Sequence, residues 1–504
     1  MALLFCEGWD KYGPANSNST AVSTLLAAGE WTSITSTSVA VVAPLSSTGQ
    51  AMSITPNSPT PVITKTLGAS YARLIGGVRF ASNLAGTVAG GIGFGDAGTV
   101  QCCITINTAG NISLRAGGAT GTAIATSSTT VSANSTHYLE WDISFSNSAS
   151  YQVWLDGVSL FSGTADTTVT ANNTANQLLI VGNGSTSQVI TFDDLYLFDT
   201  TGTTNNAVLL TSPRIETTFP SSDSAVQFAV GAGILGSNAQ RVAATSAPAA
   251  GSLVLRRFTP AAACTLNSIT IMPGATSAPA NYRGVVYADS GGTAPGTLMS
   301  SGTQVTGVTS GTASTLPLTT PQSLAAGTQY WLGFINDTSV ALQQSDAGAT
   351  GYRAANTYAS GAPGTAPAMT SGQASYLLWG NLSGISGANY NEVNQQPPPG
   401  AYSYVFDATV NHEDLYAFGA LATTPGAVHA VAVKAYCQRS DSGAKTVSMR
   451  MKSGSTDSGG SSTGQTPATT FGWLASYFPT DPNTSAAWTG ANLNAATSGF
   501  KVDS

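Results

Sequence analysis

The sequence predicts an all-β protein built of several β-sandwich domains. Three observations carry that reading. Charged residues are 8% of a chain that is 42% hydrophobic, so apolar material for cores is present and the signature of disorder is not. Gly, Ser, Thr, Ala and Asn fill most of the remainder, with 55 glycines, a balance that favours short strands and turns over helices. Strand-like segments recur about every 8–12 residues with no helical period between them, the spacing of a sandwich.

Taken in order, the elements support this. "THYLEWDISFS" alternates, placing His137, Leu139, Trp141, Ile143 and Phe145 on one face and Tyr138, Glu140, Asp142 and Ser144 on the other. "SYQVWLDGVSLFSG" reads as a hairpin about Asp156-Gly157, a dipeptide that tolerates the positive φ of a type I′ turn. "CCITINTAGNISLRAG" reads as a second hairpin around Asn107–Asn111. "GGIGFGDAG" at 90–98 is followed by neither a helical pattern nor Lys-Ser/Thr, so it reads as a loop and not as a phosphate cradle. The pattern loosens from 201 to 250. A second β-rich block follows through "LVLRRFTPAAACTLNSITIMP", "YRGVVYADSGGTAPGTLMSSG" and "LAAGTQYWLGFIND", closing near "YLLWGNLSG". "NQQPPPG" at 394–400 cannot lie inside a sheet. Beyond it, "VHAVAVKAYCQRSD" and "KTVSMRMKSG" look like a strand pair. "AAWTGANLNAATSG" reads as a short helix capped by Thr489 and stopped at Gly499.

Charge excludes some functions. With 17 Lys+Arg and a net charge of −7, the chain has no basic stripe for nucleic acid or anionic membrane surfaces. No apolar run approaches the ~20 residues of a membrane span. The opening "MALLFCEGWDKYG" lacks the apolar core of a secretory signal, which predicts synthesis in a cytosol without export. Cys6, Cys102, Cys103, Cys264 and Cys437 form no CxxC pair and read as small buried apolar residues, not as disulfides or zinc ligands.

The order of "FCEGWDKYG", "ITKTLGASYARLIGGVRF", "TVQCCITINTAGNISLRAG", "HYLEWDISF", "YQVWLDGVSLFSG" and "VITFDDLYLFD" resembles the concanavalin A-like, laminin-G-type jelly rolls of tailed-bacteriophage virion proteins. "LTSPRIETTFPSSDSAVQFAV" resembles the start of a module that follows such jelly rolls, and its continuation begins at "NYNEVNQQPPPGAYSYVFDATVNHEDLYAFGAL" and runs to the C-terminus. The stretch between them resembles a carbohydrate-binding-like jelly roll. The resemblance implies a concanavalin A-like domain at 1–200, a β-rich module split into 201–232 and 387–504, and a sandwich inserted at 233–386. It further implies a structural component of a bacteriophage particle, a tail fibre or spike in the virion that binds host surface glycans or other receptors. Its partners would be other virion proteins and copies of itself in a homotrimer. A capsid-decoration or head-fibre protein is the alternative of the same class, and a glycan-active enzyme the alternative of another.

The candidate sites follow. In "ITFDDLYLFD" strand alternation sets Phe192, Asp194, Tyr196 and Phe198 on one face and Asp193, Leu195 and Leu197 on the other. That separates the two carboxylates and favours a structural role, with Ca²⁺ ligation as the alternative if loops supply more oxygens. Glu140 and Asp142, two apart on one strand face, would stand about 7 Å from each other, nominally an inverting-glycosidase spacing, but exposed strands often carry such acids as solvated groups. His137, His412 and His429 are scattered, beside no metal spacing or nucleophile. The expectation is therefore no catalytic residue, no metal, no cofactor and no enzymatic activity. For ligand binding, Tyr352, Tyr358 and Trp379 with Asn356 and Asn381 offer the aromatic surface and amides of a sugar site, though such aromatics are also ordinary core residues. Trp331 reads as core.

Overall fold

The computed structural model describes residues 3–504 apart from 28–29, 36–38, 47, 56–60, 86–89, 183–186, 202–206, 237–244, 261, 275–279, 292–293, 307–311, 345–350, 387–388, 395–403, 423–424 and 462. Strands make up 54% and helices 5%, arranged as separate antiparallel sheets, so the chain is all-β with several sandwiches. It divides into two compact units, Met1–Ala225 with Thr409–Ser504, and Val226–Ala408.

The first unit contains a two-sheet sandwich. One sheet runs Val158–Ala165, Ala149–Leu155, His137–Ser144, Arg73–Ser82, Ile190–Phe198, Ala51–Ile54, Val39–Val42, with Leu3–Glu7 also paired to Ile190–Phe198. The other runs Ala123–Thr130, Asn111–Ala116, Thr99–Ile106, Gly90–Asp96, Ala175–Val181, Pro61–Tyr71, Ser33–Ile34. The inward faces meet in one apolar core, where Leu139, Trp141 and Ile143 pack with Ile92, Phe94, Ile104, Leu178 and Ile180. The alternation of "THYLEWDISFS" thus places its apolar face as expected. Asp156 (φ 51°) and Gly157 (φ 78°) form the expected hairpin turn. Cys102 lies in the core and Cys103 on the other side of its strand, as neighbours on a strand must. All five thiols are unpaired, but Cys6 and Cys437 are only half-buried.

Several local expectations differ from the structure. Gly90–Asp96 is a fully buried strand and not a loop. A Cβ on Gly91 would lie 1.9 Å from the Ile104 carbonyl oxygen, so glycine permits a close approach between strands while erasing the side-chain period that would have revealed one. Ser19–Ala27 is a helix whose Val22 and Leu26, four residues apart, enter the core. Near the C-terminus Val431–Cys437 pairs with Gly472–Phe478, while Val447–Ser453 pairs with Thr456–Ser458 and Thr497–Val502. The last helix is Gly490–Ala495, with Thr489 Oγ1 accepting the Asn492 N–H at 3.1 Å. Gly499 does not stop it. Gly499 belongs to the following strand, where a Cβ would meet the Asp414 carbonyl at 1.8 Å.

The C-terminal segment adds a five-stranded sheet (Pro220–Ala225, Glu413–Phe418, Thr497–Val502, Val447–Ser453, Thr456–Ser458) and the two-stranded pair above. Ala430 and Tyr477 pack on Leu3, Ile75, Tyr138, Tyr196 and Phe198, the outer face of the first sheet, so jelly roll and C-terminal module share one unit.

The second unit is a sandwich of its own. Its five-stranded sheet runs Ser314–Leu324, Ala263–Ile271, Leu378–Ser386, Ala229–Gly236, Tyr404–Phe406. The facing sheet runs Pro295–Ser301, Asn281–Asp289, Tyr330–Asn336, Ser252–Phe258, Gly351–Ala355, Thr370–Gln373, with Val305–Thr306 also paired to Asn281–Asp289. Leu266, Ile269, Val286, Leu332, Phe334 and Leu378 fill the space between them. This insert is wider than 233–386 because Ala229–Gly236 pairs with both Leu378–Ser386 and Tyr404–Phe406. Residues 395–400 of "NQQPPPG" lie outside the described residues.

Candidate functional site

The acids singled out in the first unit are engaged in holding its chain together. The strand Ile190–Phe198 carries a register shift between Asp193 and Tyr196, and Asp194 is left-handed at φ 51°. Strict alternation therefore fails: Phe192 and Leu195 both enter the core, while Tyr196 and Phe198 face outward. Asp193 Oδ2 accepts the N–H groups of Leu45 (2.9 Å) and Ser46 (3.3 Å). Asp194 accepts from Arg79 Nε and Ile215 N, each at 2.8 Å. Glu140, 1% exposed, takes Tyr196 Oη at 2.7 Å and the N–H groups of Leu209 (2.9 Å) and Leu210 (3.1 Å). Asp142 is paired with Arg73 through both oxygens. Glu140 and Asp142 therefore do not form an acid–base pair open to substrate.

Asp10 completes this pattern by accepting Gln50 N at 2.5 Å and Thr217 N at 3.2 Å. Glu140, Asp194 and Asp10 thus bind the irregular segment 209–217 along its backbone, helped by Arg79 donating to the Ser212 carbonyl at 3.3 Å. Burial pushes the Asp10 carboxyl up to about 6. Burial, then repulsion from Asp194, pushes Asp193 up to about 7. Asp194 is raised by burial against the pull of its N–H donors and Arg79.

A second charged group is buried in the same unit. Lys11 pairs with Glu7 and Glu30, and Lys434 lies 2.9 Å from Glu30 and donates to the Cys6 carbonyl at 2.7 Å. Burial alone would raise Glu30, but the two ammonium groups hold it well below the usual carboxylate range. Three half-buried rings that the sequence reading passed over, Tyr436, Phe471 and Trp473, cluster beside it, with Lys11 Nζ 5.6 Å from the Trp473 ring centre. His137 Nδ1 is 2.7 Å from Asp156, a turn contact. Among the described residues no three His, Cys, Asp or Glu side chains are placed to share a metal ion.

In the second unit the five expected ligand residues separate. Trp379 is 1% exposed, packed with Ile234 and Leu377 on the five-stranded sheet. Asn381, on the same sheet, donates to Ser268 Oγ and Thr270 Oγ1, each at 2.8 Å. Tyr352, Asn356 and Tyr358 belong to the facing sheet and the turn after it. Tyr352 is 6% exposed and edge-on to Trp331, ring centres 4.8 Å apart, and the Asn356 side chain donates to the Gly361 carbonyl at 3.3 Å. Tyr358 alone presents a half-buried ring.

The surroundings of Tyr358 come from four separated stretches. It opens the short 3₁₀ turn Tyr358–Ser360, which ends at left-handed Gly361. On the strand Asn281–Asp289, Tyr282 points into the core, so Asn281 and Arg283 point outward. The Arg283 guanidinium lies 4.9 Å from the Tyr358 ring centre. Tyr358 Oη donates to Gln304 Oε1 at 3.4 Å. Gln304 Nε2 and Thr306 Oγ1 donate to Asn281 Oδ1 at 3.0 and 2.7 Å. Asn281 in turn donates its N–H to Asp337 at 2.8 Å, and its amide to the other carboxylate oxygen. Burial works against the Asp337 charge, but those donors hold the carboxyl below its usual range. The Tyr358 hydroxyl is raised by burial against the pull of Arg283. The result is one aromatic ring, one cation and a rim of amide, hydroxyl and carboxylate groups, chemistry suited to a polyhydroxylated ligand.

No protein-family model matches the chain, and no curated protein matches it. Among solved structures it is similar to an endo-β-1,4-glucuronan lyase from the fungus Trichoderma reesei (14% identity, 38% of this chain and 96% of that one, TM-score 0.27). It is also similar to an alginate lyase (15% identity, 39% of this chain and 97% of that one, TM-score 0.27). A third is the receptor-binding domain of botulinum neurotoxin type G (9% identity, 33% of this chain and 42% of that one, TM-score 0.25). These neighbours correct the expected function. They are polysaccharide lyases and a toxin binding domain, and the glycan-active alternative accords with them better than a bacteriophage tail fibre or spike does. Likeness at this level carries no activity, substrate or residue over to this chain.

Proposed function

We propose that the protein is a carbohydrate-binding protein and that the Val226–Ala408 sandwich recognises its ligand around Tyr358. One observation carries the reading: a half-buried tyrosine ring beside a guanidinium at 4.9 Å, rimmed by Gln304, Asn281, Thr306 and Asp337. Sugar rings offer an apolar C–H face to an aromatic ring and hydroxyls to amides and carboxylates, and this set provides both partners. The action proposed is recognition without cleavage. Its support is that Glu140, Asp142, Asp193 and Asp194 are committed to backbone and arginine partners.

The test is calorimetric titration of the full chain with a panel of plant, algal and animal oligosaccharides. Binding to at least one glycan is expected, lost in Tyr358→Ala and retained in Tyr436→Ala. Equal binding by the Tyr358→Ala variant would reject this face, and progressive release of shortened sugars during incubation would reject recognition without cleavage.

A further inference from the structure

We infer that the sugar recognised at the Tyr358 face bears a carboxylate. This rests on the carbohydrate reading above and adds the ligand class. Its basis is Arg283, which no carboxylate contacts directly within the site. Among the described residues no carboxylate pairs with Arg283, and its Nε is buried with no hydrogen-bond partner. The contrast is with Arg73, Arg79 and Arg450, each of which meets an aspartate. Asp337, the acid of this cluster, keeps its charge but gives its oxygens to the N–H and side-chain amide of Asn281 and makes no direct pair with Arg283.

A partly buried guanidinium with no carboxylate in direct contact carries a desolvation cost that an incoming anion relieves. The shape of the cation narrows the choice. Residues 226–408 contain five arginines and no lysine, and a guanidinium presents a planar fork that fits a planar carboxylate through two parallel hydrogen bonds. The guanidinium lies against the Tyr358 ring and also acts on its hydroxyl, so ring and cation form one face. Gln304, Thr306 and Asn281 are bonded to one another beside it and form a fixed polar rim that neighbouring hydroxyls would meet. A carboxylated pyranose gives the cation a direct partner and lays its hydroxyls along the rim. A neutral sugar leaves the cation unanswered.

Two sources supply that chemistry, uronic acids and sialic acids, and the experiment separates them. The full chain is titrated with an oligoglucuronate, its carboxyl-reduced oligoglucose counterpart, a sialylated trisaccharide and a sulfated oligosaccharide of similar length. One of the two carboxylated probes is expected to bind at least tenfold tighter than the reduced counterpart. Arg283→Gln should bring that probe down to the level of the reduced one, Arg283→Lys should recover part of the difference, and Tyr358→Ala should abolish binding of both. Melting curves of each variant show that it is folded. Equal affinity for the glucuronate and its reduced counterpart, with no gain from the sialylated probe and no effect of Arg283→Gln, overturns the carboxylate inference and leaves the carbohydrate reading standing. Equal or tighter binding of the sulfated probe overturns it as well, since a general anion site would then be present. No binding of any probe overturns both.

Discussion

Asp194 accepts the Arg79 Nε–H at 2.8 Å from a left-handed backbone, φ 51°, that few residues other than glycine adopt without strain. The same carboxylate takes the Ile215 N–H at 2.8 Å. A single side chain thus ties a bulged central strand to its neighbour and to the segment that leaves the jelly roll. The carboxylate is fully buried while Arg79 is 17% exposed, so losing the acid leaves a largely buried cation alone.

Removing one member of such a pair costs about 3–5 kcal/mol. Asp194→Ala should lower the stability of the first unit by that amount in urea unfolding. Asp194→Asn, which tolerates the left-handed backbone and keeps an acceptor, should lose less. A change under about 1 kcal/mol in the alanine variant, the size of an exposed pair, would show that the contact is ornamental.

The pH dependence has a definite sign. Asp193 and Asp10 keep their protons up to about 7 and about 6 in the folded chain, against 3.8 when unfolded. Between 3.8 and those values the folded state binds more protons than the unfolded one, so stability is fully present below that window and declines as pH rises through it. Melting temperatures recorded from pH 4 to pH 8 should fall toward neutrality, and less steeply in Asp193→Asn. A rise over the same interval, common to both proteins, would contradict the assignment.

Lys434 is predicted to fasten the C-terminal module. It shares Glu30 with Lys11 and is 14% exposed, so Lys434→Met leaves Glu30 with one cation and frees the Cys6 carbonyl. Amide hydrogen exchange should speed up in Val431–Cys437 and Gly472–Phe478, with Lys434→Arg intermediate. Unchanged protection in those two strands would assign the fastening to the apolar contacts around Tyr477 instead.

The aromatic residues of the insert should divide by role. Tyr352→Ala and Trp379→Ala remove buried rings and should each cost about 3–5 kcal/mol, whereas Tyr358→Ala, which removes a half-buried ring at the edge of the Trp331 cluster, should cost only about 1 kcal/mol. Thermal unfolding of the three variants side by side checks this. Similar losses in all three would place Tyr358 in the core as well.

What the sequence made legible follows a physical divide. "THYLEWDISFS" could be read because one face meets a core and the other does not, which prints a period of two. The strand at Gly90–Asp96 could not, since glycines carry no side chain to print it. The bulge at Asp193 and Asp194 escaped because its left-handed residue is an aspartate, and the pairing of Val431–Cys437 because its partner lies beyond two intervening strands. At the candidate site Tyr358 was visible as an aromatic among asparagines. Arg283, Gln304 and Asp337 were not, because separate stretches of chain bring them to it, and no local spacing encodes that meeting.

The insertion has its own consequence. In the first unit Ala225, where the chain leaves, pairs with Leu415, shortly after it returns; in the second, Ala229 pairs with Phe406. Each boundary is closed by a hydrogen-bonded rung within its own unit. The six residues 409–414 that would remain between Ala225 and Leu415 suffice for a hairpin connection if Val226–Ala408 were excised. The Val226–Ala408 sandwich is therefore built as a cassette: recombination can exchange it for another without rewriting the scaffold that carries it.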